Sequence, residues 1–288
     1  MSVEPSGTPR DLDVNGITLR VVTWGEPVGP ERTILLVHGI TANSQSWAVL
    51  GPVLAASGWY SIAPDLRGRG RSAKPPHGYG IPFHVDDLLG LCDALNLSTV
   101  HVVGHSLGAM IGLYLAALHP HRVAKLVLVD AGGKLPEDTY EAIAPALARL
   151  GTVYPSLAAY LEAMRATTAL PWDDYAERYY RYDAEVRPDG GASSSVPKAV
   201  ASEEAATNWT IRIEALPAFV KAPTLVLRAT IGLLGPERGF ILPREEAERL
   251  HGAIPGSRFV EIPDTNHYTV IAVEAFAREV GVFLTDEQ

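Results

Sequence analysis

The sequence predicts a doubly wound, mostly parallel α/β sheet that carries a helical insertion. Three features lead there: six short apolar runs closed by turn residues, helical segments between several of them, and a break in this alternation between 134 and 219. The chain has 288 residues, 47 % hydrophobic and 20 % charged, the composition of a globular protein. A chain of this length buries roughly three quarters of its unfolded surface, so its core requires neither disulfide nor structural metal.

Residues 1–10 lack a cationic start and an apolar stretch and read as a flexible tail of a cytoplasmic protein. The core should occupy 11–133 and 220–288. Leu12, Val14, Ile17, Leu19 and Val21 flank Asn15-Gly16, a favoured two-residue turn, and predict a hairpin at the antiparallel edge of the sheet. The six runs are Thr33 to Val37, Tyr60 to Ala63, Val100 to Val103, Lys125 to Val129, Thr224 to Arg228 and Arg258 to Ile262. Without alternation, such runs suit strands covered on both faces, and with the hairpin they make an eight-stranded sheet. Helical spacing joins Val85, Leu88, Leu89, Leu91, Cys92 and Leu95, then spans Leu107 to Leu118. Residues 134–219 hold seven of the eleven tyrosines with Trp172, Trp209 and Met164, and are expected to form a helical cap. Within them Pro188 to Val196 reads as a mobile Gly/Ser-rich loop.

The net charge of −9 disfavours nucleic acid and anionic membrane as partners, since no Lys/Arg block offsets the repulsion, and neither is expected. One cysteine, Cys92, cannot form an internal disulfide and is expected as a buried helix residue in a reducing compartment. The chain itself should be a monomer or homodimer.

The strongest local signal is Gly104-His105-Ser106-Leu107-Gly108, placed between a strand and a helix. A serine at that corner sits in a tight turn that tolerates only small residues two positions to either side. Gly104 and Gly108 meet the demand, and the following helix N-terminus directs N–H groups at developing negative charge. Ser106 is therefore the candidate nucleophile.

With this turn, Leu36-Val37-His38-Gly39-Ile40 and Ala63-Pro64-Asp65-Leu66-Arg67-Gly68-Arg69-Gly70-Arg71-Ser72, the chain closely resembles the α/β-hydrolase fold family over about 12 to 132 and 220 to 285. The resemblance implies an esterase- or lactonase-like serine hydrolase with a helical cap. It makes the backbone N–H groups of Ile40 and Leu107 the oxyanion donors. His38, Gly39, Asp65, Arg67, Gly68 and Gly70 then read as loop architecture.

A serine needs a neighbouring base, and of nine histidines His267 follows the last strand where the family keeps its catalytic histidine. His105 is expected to point away from Ser106. His77, His84, His119, His121 and His251 fall in polar loops or helix ends, and His101 opens a strand. For the orienting acid, the loop after Thr224 to Arg228 departs from the family pattern, carrying no carboxylate before Glu237. Asp130 directly follows the strand Lys125 to Val129, at the same sheet edge as Ser106, and some family members place the acid there. Asp130 is preferred to Glu237, with Asp264 third.

The aromatic insertion predicts an apolar pocket with Trp47, Met110, Leu135, Trp172, Trp209 and Tyr268 as candidate lining. The substrate is expected to be a small apolar or aromatic ester or lactone, cleaved with no metal or organic cofactor. Family members that open epoxides or remove halide use a carboxylate where Ser106 stands, so those reactions are disfavoured. A carbon–carbon bond hydrolase of meta-cleavage type, a cofactor-free dioxygenase and a non-catalytic small-molecule receptor on the same fold are the alternatives.

Overall fold

The computed structural model describes residues 6–286. In chain order they form β1 (Thr8–Val14), β2 (Ile17–Trp24), β3 (Thr33–Val37), α1 (Leu50–Ala56), β4 (Tyr60–Pro64), α2 (Ile81–Ala94), β5 (Val100–His105), α3 (Leu107–Leu118) and β6 (Val123–Val129). The inserted segment follows with α4 (Thr139–Ala148), α5 (Leu157–Thr167), α6 (Asp174–Asp183), β7 (Ala184–Val186), β8 (Ala192–Ser194) and α7 (Lys198–Asn208). The chain then closes the sheet with β9 (Thr224–Ala229), α8 (Arg244–Ala253), β10 (Arg258–Ile262) and α9 (Glu274–Thr285).

Eight strands order as β1-β2-β4-β3-β5-β6-β9-β10, with β1 and β2 antiparallel at one edge and every pairing from β4 to β10 parallel. The doubly wound sheet expected from the sequence is thus the observed one. Its apolar runs fail to alternate because both faces are covered. Leu35, Val37, Val102, Leu126 and Leu128 join the core beneath α2, α3 and α8, while Ile34, Leu36, Val103, Val127 and Val129 join the core beneath α1 and α9. Cys92 is buried in α2, and burial pushes its thiol up to about 11, so it stays protonated.

Two local expectations fail. Thr8, Pro9 and Arg10 belong to β1 through pairing with Thr23, Val22 and Val21, so no tail extends to residue 10; residues 1–5 lie outside the described residues. The segment Pro188 to Val196 is no mobile loop either. Ala192 to Val196 is buried, and Ser194 and Ser195 donate to Asp183 Oδ1 at 3.3 Å. Two of its three serines serve as donors to an interior carboxylate, which composition alone cannot reveal.

The insertion is tied down by polar anchors. Glu204 of α7, fully buried, accepts from Arg69 at 2.7 Å and lies 2.8 Å from His84 Nε2. Burial would raise its carboxyl, but His84 and Arg69 outweigh this and hold it down at about 2. Of the solvated and structural roles open to His84, the buried pairing with Glu204 is the structural one. The Tyr182 hydroxyl donates to Asp65 Oδ2 at 2.7 Å. Among the described residues no helix is long and apolar enough to cross a membrane.

Candidate active site

Ser106 sits between β5 and α3 with φ 58° and ψ −122°, a left-handed conformation that is strained for a residue with a Cβ. The flanking glycines are there because backbone passes too close for anything larger. A Cβ at Gly104 would lie 2.1 Å from Gly108 O, and one at Gly108 would lie 2.0 Å from Val37 O. The turn is pinned to the sheet by Ser106 N–H donating to Val129 O at 3.1 Å.

The loop after β3 passes against this turn: a Cβ at Gly39 would lie 3.4 Å from Ser106 Oγ. His38 fixes its orientation. Leu66 N–H donates to His38 Nε2 at 3.0 Å, so the proton is on Nδ1, which donates to Gly39 O at 2.8 Å. Complete burial pushes the ring pKa down to about 3, which keeps it in this neutral form. Gly39 O and Ile40 N–H share one trans peptide and point in opposite directions, so holding the carbonyl aims the N–H away from His38. Arg69 Nε secures the other side by donating to Ile40 O at 3.1 Å. Among the described residues neither Ile40 N–H nor Leu107 N–H has an acceptor, which leaves both free for a ligand oxygen.

Asp130, at the end of β6 with φ 51°, is buried and uses both oxygens. Oδ1 accepts from Ala229 N–H at 2.9 Å and Oδ2 meets His267 Nδ1 at 2.8 Å. The bond to Asp130 places the His267 proton on Nδ1 and leaves Nε2 as the free base. Glu237 and Asp264 are exposed and do not meet His267. Where the loop after β9 lacks a carboxylate, Thr230 Oγ1 instead accepts from Asp264 N–H at 3.0 Å.

Ser106, Leu107, Ile40 and His267 line one cavity of about 890 Å³ between sheet and insertion. Among the described residues no hydrogen bond joins Ser106 Oγ to the imidazole. Such bonds are commonly long in unliganded sites and tighten around substrate. Sequence reasoning missed His105, which reaches His267 O at 2.7 Å and lies under its ring. Only the proximity of His105 to Ser106 in the chain hinted at it.

Of the expected lining, Met110, Leu135, Tyr268 and Trp209 border the cavity, Trp209 with 83 % of its surface exposed. Trp47 and Trp172 do not. Trp47 is fully buried in the core beneath α1 and α9, and Trp172 stacks on Tyr180 at 5.8 Å. Bulk and aromaticity suit core packing as well as pocket walls, and the chain used both residues for packing.

The family model for the alpha/beta hydrolase fold matches residues 32–272. The chain is 30 % identical to a 3-hydroxybutyrate-oligomer hydrolase of Cupriavidus necator over 85 % of each chain. It is 38 % identical to epoxide hydrolase A of Mycobacterium tuberculosis over 43 % of this chain and 38 % of that one. Among solved structures it superposes on E-2-(acetamidomethylene)succinate hydrolase with a TM-score of 0.84, 24 % identity and coverage of 97 % and 99 %.

Proposed function

Because this chain belongs to the α/β-hydrolase fold family, we propose that it is a serine hydrolase cleaving carboxylic esters or lactones through an acyl-enzyme intermediate. The observation that carries this reading is the 2.8 Å bond between buried Asp130 and His267, the latter lining the same cavity as Ser106 on its strained turn. Its similarity, over 85 % of each chain, to a protein named as a hydrolase supports the same class of chemistry.

Ser106 Oγ attacks the carbonyl carbon while His267 Nε2 takes its proton. Charge collects on the carbonyl oxygen, where the Ile40 and Leu107 N–H groups receive it. Each such donor contributes on the order of 3 kcal/mol, because it is aimed before the reaction begins. Asp130 holds the tautomer that makes Nε2 basic and stabilises the imidazolium, an effect of about 10⁴ in rate. Collapse expels the alcohol, protonated by His267, and water then cleaves the acyl-enzyme with His267 again as base.

A serine-directed fluorophosphonate should label Ser106 in the native protein and abolish turnover of a panel of 4-nitrophenyl esters and lactones. Turnover that persists after complete labelling, or in Ser106→Ala, would refute the assignment.

A further inference from the structure

We infer that the cavity contains a carboxylate subsite at Arg149, so that the preferred ester carries a second, free carboxylate a few carbons from the scissile carbonyl. This rests on the ester-hydrolase reading and narrows its substrate.

Arg149 follows the end of α4 and lines the cavity while only 6 % exposed. Among the described residues it is the one buried Arg or Lys there; Lys134 also borders the cavity but is exposed. A guanidinium has five N–H donors. Nη1 donates to Ala146 O at 2.9 Å and Nη2 to Thr41 O at 2.5 Å. Nε is buried without a partner, and each terminal nitrogen keeps one N–H with no acceptor among the described residues.

Asp183 balances the charge without satisfying these donors. Its Oδ2 stands 3.5 Å from Nε, while its oxygens accept the hydroxyls of Tyr160, Ser194 and Ser195. Burial works against the Arg149 cation and Asp183 opposes that effect; with the neighbouring tyrosines the balance holds the guanidinium pKa above its ordinary value, so it stays protonated. The guanidinium carbon lies 6.0 Å from the Tyr180 ring centroid, and its Nε side faces Asp183, so the N–H groups offered to a ligand are those left on the terminal nitrogens.

Two further donors accompany it. Tyr179 and Tyr268 line the cavity, and neither hydroxyl donates to an acceptor among the described residues. Burial pushes the Tyr268 phenol up to about 12, so it stays a neutral donor. Unpaired donors in an apolar wall of Met110, Ile143 and Met164 discriminate strongly for a ligand that satisfies them. The guanidinium bonds Thr41, the residue after the Ile40 donor, so the subsite adjoins the oxyanion loop. That proximity selects a short spacer, as in the half-ester of a small dicarboxylic acid.

The test compares 4-nitrophenyl hemiglutarate with 4-nitrophenyl valerate, which has the same chain length and no charge. Wild type should favour the hemiglutarate at least tenfold in kcat/KM, and Arg149→Met should reduce that ratio at least tenfold, mainly through KM. Glutarate should inhibit valerate hydrolysis competitively and raise the Tm of wild type but not of Arg149→Met. Equal kcat/KM for the two esters in wild type, without inhibition by glutarate, would overturn the subsite. Those wild-type arms decide even if the variant does not fold. Should neither ester be hydrolysed through Ser106, the ester-hydrolase reading fails, and the glutarate shift in wild type still reports the subsite.

Discussion

His105 Nε2 donates to the backbone carbonyl of His267 at 2.7 Å, and the two rings lie 4.6 Å apart. The residue before Ser106 thus grips the loop that carries the proposed base, bridging strand ends that flank β6 and β9 in the sheet. Burial first, and the His267 ring second, hold the His105 pKa well below its ordinary value, so the ring is a neutral donor. Losing one buried hydrogen bond of this kind costs about 1–3 kcal/mol. His105→Leu should lower kcat by about 10-fold to 100-fold with little change in KM, and His105→Gln, which keeps a donor, should recover part of it. Steady-state kinetics showing equal losses in both variants, or a change in KM alone, would contradict the positioning role.

Removal of the Ser106 hydroxyl in Ser106→Ala should lower kcat by about 10⁶ if the three residues act as a unit. Asp130→Asn should lower it by about 10⁴, because the amide no longer enforces the required tautomer. Glu237→Gln should stay near wild type, since Glu237 is exposed and away from His267. Measured kcat values in the reverse order would identify the wrong acid.

Acid should weaken the protein through His38. Its pKa is about 6.5 in the unfolded chain and about 3 in the folded one, so between those values the unfolded state binds the additional proton. The stability this ring contributes is complete above pH 6.5 and declines as pH falls toward 3. Tm measured from pH 8 to pH 4 should therefore drop below about 6.5. The drop should be shallower in His38→Asn, and an identical slope in both proteins would refute it.

The glycines of the Ser106 turn permit no side chain. Gly104→Ala or Gly108→Ala would force a Cβ against backbone oxygen at 2.1 or 2.0 Å, and folded protein should be lost. Gly252, in α8, has nothing within 4 Å of an added Cβ. Gly252→Ala should raise stability by about 0.5–1 kcal/mol through helix propensity. Urea denaturation of the three variants separates steric demand from mere glycine content.

Much of the fold was legible because its determinants are local. Thr33 to Val37 reads as a buried strand since Ile34 and Leu36 face one apolar core and Leu35 and Val37 the other, while Leu107 to Leu118 reads as a helix because its buried apolar residues all pack into one of them. The Ser106 turn was legible because its steric demand falls on residues two positions away. Other features were hidden. His84 resembled a polar helix-end residue until α7 brought Glu204 onto it from 120 positions away. Trp47 resembled a pocket wall until the core beneath α1 and α9 enclosed it.

Sequence by itself determined the sheet, its order of strands and helices, and the corner on which Ser106 stands, because periodicity and backbone sterics act over a few residues. Tertiary structure alone decided that Asp130 rather than Glu237 meets His267, that His105 clamps that loop, and that Arg149 enters the cavity with donors to spare. Those outcomes depend on groups as far as 162 positions apart meeting at about 3 Å, and such meetings are set by how whole layers pack.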